Sequence, residues 1–208
     1  MLKIGALVSG GGTNLQAIID NIENGSINAE IVTVVSNKSK AYALERAKNH
    51  GIDAVFISKK EAGSQEAYED KLIEHFKSKG AELILMAGFM SILTERFVNA
   101  FENRIMNIHP ALIPSFCGEG YYGLKVHEEA LKKGVKVTGA TVHFVTKEAD
   151  AGPIIIQKAV EVKDDDTAEV LQKRVMEEAE WIIYPEAVRL FAENKLKIEN
   201  NIVRRLDR

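Results

Sequence analysis

Residues 3–22, which read KIGALVSGGGTNLQAIIDNI, decide the fold class. The stretch opens with an apolar run over residues 3–9, which is typical of a buried parallel strand. It closes with apolar side chains at i, i+3, i+4 and i+7 counted from Leu15, the stripe of an amphipathic helix. A strand that passes through glycines into a helix is the opening unit of an α/β sheet.

The same alternation of strand-like and helix-like segments continues for about the first hundred residues. Further strands are expected over 30–36, 54–57, 83–87 and 104–108, with helices over 41–49, 66–79, 94–100 and 126–133. This order predicts an α/β fold with a doubly wound, mostly parallel sheet and a Rossmann-like N-terminal half.

The C-terminal half has a different pattern. Two long strands over 135–145 and 153–162 have no helix between them, so an antiparallel strand pair is expected there. A long helix is expected over 167–191, begun by Thr167 as its cap. The residues from Lys195 onward read as a charged tail.

Length and composition limit the class of protein. A chain of 208 residues predicts one domain over residues 1–208. A net charge of −3 argues against a nucleic-acid partner. The longest apolar run, Leu83 to Met90, is too short to span a membrane, and no export signal is recognisable. The single cysteine, Cys117, favours a reducing, cytoplasmic compartment. The sequence leaves a monomer and a homodimer both open.

The glycine-rich turn after the first strand predicts a phosphate site. Amide groups at a helix start attract anions, and glycines let a phosphate approach the backbone. The candidate ligands are Gly11, Gly12, Thr13 and Asn14. A plain tight turn is the alternative, but three consecutive glycines exceed what a turn needs.

Two known nucleotide-binding motifs, the Walker loop and the dinucleotide fingerprint, fit this turn less well than a monophosphate site does. No Gly-Lys-Ser/Thr is present, which excludes a Walker loop. The dinucleotide fingerprint is only half met, because Leu15 stands at its third glycine position and no acid follows the second strand. A terminal monophosphate is therefore expected rather than NAD.

Asn107 and His109 form a candidate catalytic pair at the end of the fifth strand. Two residues apart in extended chain, both side chains point to one face, where parallel sheets carry their ligands. An amide can stabilise an oxyanion and an imidazole can move a proton, which together suit acyl transfer. Asp150, in the turn between the long strands, is either a turn residue or the carboxylate that orients His109.

The remaining histidines and the cysteine are weaker candidates. His50 and His75 are expected on helix surfaces, while His127 and His143 could approach or support the site. Cys117 has no evident base beside it. No metal site is expected, since no His-Glu-x-x-His motif or cysteine pair occurs.

These motifs together resemble the folate-dependent phosphoribosylglycinamide formyltransferases of purine synthesis. The resemblance covers residues 4 to about 197 and rests on five anchors. They are SGGGTNL at 9–15, AGFM at 87–90, NIHP at 107–110, VHFV at 142–145 with DAGP at 150–153, and Glu180 with Tyr184-Pro185. The resemblance implies a single formyltransferase domain, phosphate-binding over about 1–100 and catalytic and folate-binding over about 101–197.

The resemblance also implies a role for each matching residue. Asn107, His109 and Asp150 match the family's catalytic residues, and the formyl donor is 10-formyltetrahydrofolate, with no metal. Residues 11–14 are expected to hold the phosphate of glycinamide ribonucleotide, and Glu177 and Glu180 its ribose. The expected folate contacts are Gln65, Met90, Ser91, Ile92, Leu93, Asn107, Thr146, Lys147, Glu148, Ala149 and Asp150.

The chain departs from the family pattern at three places. Ser91 stands where relatives often carry arginine, and Gln65 stands near the position of a second family arginine. The segment 116–126 is longer than the usual loop. The sequence does not decide whether this segment closes over the substrate as a lid.

Other functions are also compatible with the sequence. A formyltetrahydrofolate hydrolase would use the same three residues without an amine acceptor. A non-catalytic phosphate-binding module would not need them. An NAD-dependent oxidoreductase is disfavoured by Leu15. A transferase acting on tRNA or on a sugar nucleotide usually carries a further C-terminal domain.

Overall fold

The computed structural model describes residues 1–206 as nine strands and eight helices with one π-helical turn. The strands are β1 Leu2–Val8, β2 Ala29–Ser36, β3 Ala54–Phe56, β4 Leu83–Met86, β5 Ile105–His109, β6 Val137–Phe144, β7 Ile154–Glu161, β8 Leu196–Glu199 and β9 Ile202–Arg205. The helices are α1 Thr13–Glu23, α2 Tyr42–Asn49, α3 Lys59–Ala62, α4 Gln65–Ser78, α5 Glu95–Ala100, α6 Leu124–Lys133, α7 Ala168–Val175 and α8 Trp181–Ala192, with the π-helical turn at Met176–Glu180.

The main sheet is mixed and has seven strands in the order β3-β2-β1-β4-β5-β6-β7. β1 pairs in parallel with β2 and β4, and β2 pairs in parallel with β3. β6 and β7 pair antiparallel. The predicted mostly parallel sheet and the predicted antiparallel pair are both confirmed. No helix within residues 1–206 is long and apolar enough to cross a membrane.

The chain divides into two compact units, Met1–Met106 and a second that begins at Asn107. In the first unit, the rings of Phe97 and Phe101 meet Phe76 edge-on, with centroids 6.3 and 6.2 Å away. All three are fully buried. Edge-to-face aromatic pairs add specificity to the apolar burial, so this cluster anchors α4 and α5 to each other.

The second unit corrects the expectation of one continuous helix over 167–191. Thr167 caps α7 as predicted, since its side chain accepts a hydrogen bond from Val170 N. The helix then widens into the π-helical turn before α8 begins at Trp181. A π turn holds one residue more than an α turn, and hydrophobic spacing over such a length does not reveal it.

The expected charged tail is instead an antiparallel hairpin of β8 and β9. Asn200 and Asn201 form its turn with φ of 50° and 62°, values that asparagine tolerates well. Glu199 pairs with Lys197 at 2.7 Å and with Arg204 at 3.1 Å. Charged residues lie on both strands of the hairpin, and they obscure the strand pattern in the sequence.

Candidate active site

The glycine-rich turn after β1 directs two of its carbonyl groups toward α2. The carbonyl oxygens of Gly10 and Gly11 accept hydrogen bonds from Ala43 N and Arg46 Nε, at 3.0 and 2.7 Å. The Gly12 carbonyl accepts from Gln16 N of α1 at 2.9 Å. In a trans peptide the C=O and the next N–H point in opposite directions. The amides of Gly11 and Gly12 therefore point away from α2, as an anion cradle requires.

Gly12 is required at this turn for two reasons. Its φ is +72°, in the left-handed region that disfavours other residues. A Cβ added there would lie 2.6 Å from the Cβ of Ala43. The helix α1 starts directly afterwards at Thr13, and Asn14 is buried in its first turn. The structure thus brings the predicted residues 11–14 together at one helix start.

The predicted folate segment of the first unit follows β4. Met90 N donates to Ser9 Oγ at 2.8 Å, and Gln65 Nε2 donates to Ile92 O at 3.4 Å. Leu93 is buried, whereas half of Met90 and two thirds of Ile92 are exposed. Met90 and Ile92 therefore present apolar surface to solvent next to Ser91, and Gln65 lies beside Ile92.

His109 lies at the end of β5 and is almost fully buried. Its Nε2 is 2.8 Å from Phe116 O, and its Nδ1 is 3.5 Å from Asp150 Oδ2. A carbonyl oxygen can only accept, so Nε2 carries a proton in this conformation. Burial lowers the pKa of His109, although Asp150 and the Phe116 carbonyl partly oppose this.

Asp150 lies in the connection between β6 and β7 with φ of 53°. Gly118 N donates to its Oδ2 at 2.9 Å. Burial alone would raise the pKa of this carboxyl. Its contacts with His143, His109 and Gly118 outweigh that effect and hold the pKa of Asp150 below its usual value. Asp150 is therefore ionised beside His109 at neutral pH.

Asn107 and His143 complete this cluster. His143 Nδ1 lies 2.9 Å from Phe144 O, which fixes the proton on Nδ1. His143 Nε2 lies 3.2 Å from Asn107 Nδ2 and 3.6 Å from Asp150 Oδ1. Asn107 Nδ2 also donates to Asp150 Oδ1 at 3.5 Å, a long and weak bond. The Asn107 amide is therefore positioned between the imidazole of His143 and the carboxylate of Asp150.

The other predicted residues of the second unit lie in two places. Thr146 Oγ1 donates to Glu148 O at 3.3 Å, and residues 147–149 are exposed. Glu177 and Glu180 both belong to the π-helical turn. Glu180 is buried, whereas Glu177 is exposed and pairs with Lys173 at 3.8 Å. The turn therefore gives these two carboxylates different surroundings.

The other histidines and the cysteine, which the sequence made weaker candidates, have the following surroundings. His50 is exposed and lies 2.6 Å from Glu23 Oε1. His75 Nε2 is 2.9 Å from Thr33 Oγ1. His127 is fully buried, and burial together with the charge on His109 lowers its pKa to about 4. Burial raises the pKa of Cys117, which keeps its thiol protonated. Within residues 1–206 there is no cluster of three or more His, Cys, Asp or Glu that could hold a metal.

Sequence reasoning missed two backbone groups of the site. The Phe116 carbonyl holds His109, and the Gly118 amide holds Asp150. Both lie in the glycine-rich segment that the sequence singled out only as irregular. Backbone groups carry no signature of residue type, so only their position in the fold shows what they contact.

Comparison with known protein families shows which class of protein has this fold and this cluster. The model of the formyl transferase family matches residues 2–188, and the chain belongs to that family. It is similar to phosphoribosylglycinamide formyltransferase of Haemophilus influenzae, with 40% identity, over 97% of this chain and 92% of that protein. It is also similar to the crystal structure of glycinamide ribonucleotide transformylase 1 from Symbiobacterium toebii, with 46% identity and a TM-score of 0.94, covering 100% of this chain and 95% of the other.

Two further likenesses are more limited. The trifunctional purine biosynthetic protein adenosine-3 of Gallus gallus is 44% identical over 95% of this chain, which spans only 19% of that protein. A formyltetrahydrofolate deformylase from Pseudomonas syringae has a TM-score of 0.88 at 24% identity, over 99% of this chain and 66% of the other. At that identity the likeness concerns the fold alone.

Proposed function

We propose that the protein transfers the formyl group of 10-formyltetrahydrofolate to the amine of glycinamide ribonucleotide in purine biosynthesis. The observation that supports this most is the convergence of Asn107, His109 and Asp150 in the second unit. The similarity to phosphoribosylglycinamide formyltransferases along nearly their whole length supports the choice of acceptor.

The reaction needs one bond formed, one broken and one proton moved. The amine nitrogen of the acceptor attacks the formyl carbon and gives a tetrahedral intermediate with an oxyanion. The bond from that carbon to N10 of the folate then breaks. The amine loses a proton and N10 gains one, so the reaction is balanced without another reactant.

Asn107 is the proposed donor to the oxyanion. Its amide nitrogen lies 3.2 Å from His143 Nε2, a contact that positions the group. Its hydrogen bond to Asp150 Oδ1 is long, at 3.5 Å, so that hydrogen can turn to a stronger acceptor. An oxyanion is such an acceptor, and a fixed donor aimed at it stabilises the intermediate.

His109 is the proposed carrier of the proton. To accept a proton, its Nε2 has to lose the hydrogen that now faces Phe116 O. With Nδ1–H directed to Asp150, the ring would hold the tautomer in which Nε2 is bare. We therefore expect the Phe116 carbonyl to be displaced in the reactive state, which agrees with a lid role for segment 116–126.

The remaining residues are proposed as ligands of the two substrates. Gly11, Gly12, Thr13 and Asn14 bind the phosphate of the acceptor. Glu180 binds its ribose hydroxyls, and the exposed Glu177 makes a minor contribution. Gln65, Met90–Leu93 and Thr146–Asp150 contact the folate. The active protein needs no metal, resides in the cytoplasm and works as a monomer or homodimer; these remain predictions.

The deciding experiment measures folate turnover with and without the acceptor. Purified protein is mixed with 10-formyltetrahydrofolate, and the deformylated folate is followed by absorbance, with His109→Ala alongside. Turnover that requires glycinamide ribonucleotide and disappears in the variant supports the transferase. Turnover without the acceptor would instead establish the formyltetrahydrofolate hydrolase, the alternative with the same three residues.

A further inference from the structure

Three polar side chains in the first unit form a hydrogen-bond chain that runs in one direction. The chain begins at the backbone N–H of Met90, which donates to Ser9 Oγ at 2.8 Å. Ser9 Oγ donates to Asn37 Oδ1 at 2.8 Å. Asn37 Nδ2 then donates to Ser91 Oγ at 2.7 Å. These residues follow β1, β2 and β4, so the chain joins the carboxyl ends of three neighbouring strands.

The direction of this chain fixes the role of the last hydroxyl. Because Ser9 Oγ gives its proton to the Asn37 oxygen, the amide nitrogen has to face Ser91. Ser91 Oγ accepts that hydrogen, and its own proton is left to point elsewhere. Within residues 1–206 Ser91 donates no hydrogen bond. Successive hydrogen bonds polarise one another, so the terminal hydroxyl is a strengthened donor.

We infer that Ser91 is a directed, neutral hydrogen-bond donor to the formyl folate and that Asn37 is the positioning residue that sets its direction. This rests on the proposed function, because the folate is the ligand expected at residues 90–93. The group it binds is an oxygen or nitrogen acceptor of that ligand. Exposed Met90 and Ile92 on either side of Ser91 supply apolar contact beside the polar one.

Two substitutions separate the donor from the residue that orients it. Ser91→Ala removes the donor, and the loss of one neutral hydrogen bond should raise KM for 10-formyltetrahydrofolate about three- to tenfold. Asn37→Asp keeps the size of the side chain and still accepts from Ser9. The new carboxylate cannot donate to Ser91, so the serine proton turns inward and the same rise in KM is expected.

The double variant tests whether Asn37 acts through Ser91. If it does, Asn37→Asp adds little to the KM of Ser91→Ala, whereas independent effects would multiply. Asn24→Asp is the matched control for added charge in the same unit, since its Oδ1 accepts from Ser26 N and the acid can do the same. KM for glycinamide ribonucleotide should stay unchanged in all four variants, and melting curves check that each variant is folded at the assay temperature.

The source of the acceptor atom is found with a folate analogue that lacks the glutamate tail. If the effect of Ser91→Ala persists with this analogue, the acceptor lies on the ring system, and if it vanishes the acceptor is a tail carboxylate or amide. An unchanged KM in Ser91→Ala with active wild-type enzyme would overturn the inference and leave the proposed function standing.

Calorimetric binding of tetrahydrofolate keeps the inference testable if the wild-type protein shows no turnover. Weaker binding by Ser91→Ala would then uphold the inference although the proposed reaction fails. Equal binding by both proteins, or no binding by the wild type, would overturn it.

Discussion

At the scale of single residues, the pKa of His109 is subject to two opposing effects. Burial disfavours its charged form, while the carboxylate of Asp150 at 3.5 Å favours it. Burial wins, so the pKa of His109 lies below its ordinary value and the ring stays neutral into mildly acid solution. A neutral ring at neutral pH agrees with the proposed role of His109 as proton acceptor, with Asp150 as the group proposed to orient it.

Asp150→Asn should therefore change both the rate and its pH dependence. Removing the charge removes an influence that raises the pKa of His109, so the acid limb of the kcat profile moves to lower pH. The rate at the plateau falls by about 10²–10⁴, as for other carboxylates that orient a catalytic histidine. The profile is measured from pH 4.5 to 9 with a stability check at each pH. An acid limb that moves to higher pH would show that another group controls it.

At the scale of elements, the π-helical turn gives different surroundings to the two carboxylates that the resemblance assigns to the ribose. Glu180 is 6% exposed, whereas Glu177 is exposed and pairs with Lys173 at 3.8 Å. Only a buried carboxylate is shielded enough for a strong contact with ribose hydroxyls, because exposed pairs contribute little.

Glu180→Gln should raise KM for glycinamide ribonucleotide about tenfold, the loss of one charged hydrogen bond. Glu177→Gln, the matched change three residues earlier, should alter it less than about twofold. Steady-state kinetics with saturating folate give both values. A larger effect from Glu177→Gln would mean that the exposed carboxylate is the ribose ligand.

The connection between β6 and β7 depends on Gly152. A Cβ added there would lie 1.8 Å from Phe144 O, so the backbone would have to move. Gly152→Ala should lower the free energy of unfolding by about 1–3 kcal/mol, as overpacking does. Because Asp150 lies two residues earlier, kcat should fall with it. Ala151→Ser, at an exposed neighbour, is the control. A fully active, equally stable Gly152→Ala would contradict the described geometry.

At the scale of the whole molecule, binding of the acceptor should stabilise the fold. A ligand at about 100 times its Kd adds about 2.7 kcal/mol to the free energy of unfolding. For a chain of this length that corresponds to a rise in Tm of roughly 5–10 °C. Scanning calorimetry with glycinamide ribonucleotide measures it, with glycinamide alone as the control that lacks the phosphate. Equal shifts with both ligands would show that the phosphate adds no binding energy, which would contradict a phosphate site at residues 11–14.

The sequence predicted the parallel sheet and the antiparallel pair because both follow from periodicity and from connection length. The shared location of Asn107 and His109 followed from their spacing on one strand. The bonds from Phe116 and Gly118 could not be predicted, since they come from backbone groups in an irregular loop. The π-helical turn and the hairpin around Asn200 were missed because one extra helical residue and a charge-rich strand leave hydrophobic patterns unchanged.

The most direct test of formyl transfer follows the formyl carbon itself. The protein is incubated with glycinamide ribonucleotide and 10-formyltetrahydrofolate that carries ¹³C in the formyl group, and the products are identified by NMR. Direct transfer predicts that the label appears on the glycinamide nitrogen as a formamide, with little free formate and no transfer by His109→Ala. Label found in formate, with the acceptor left unmodified, would contradict direct transfer and identify a hydrolase.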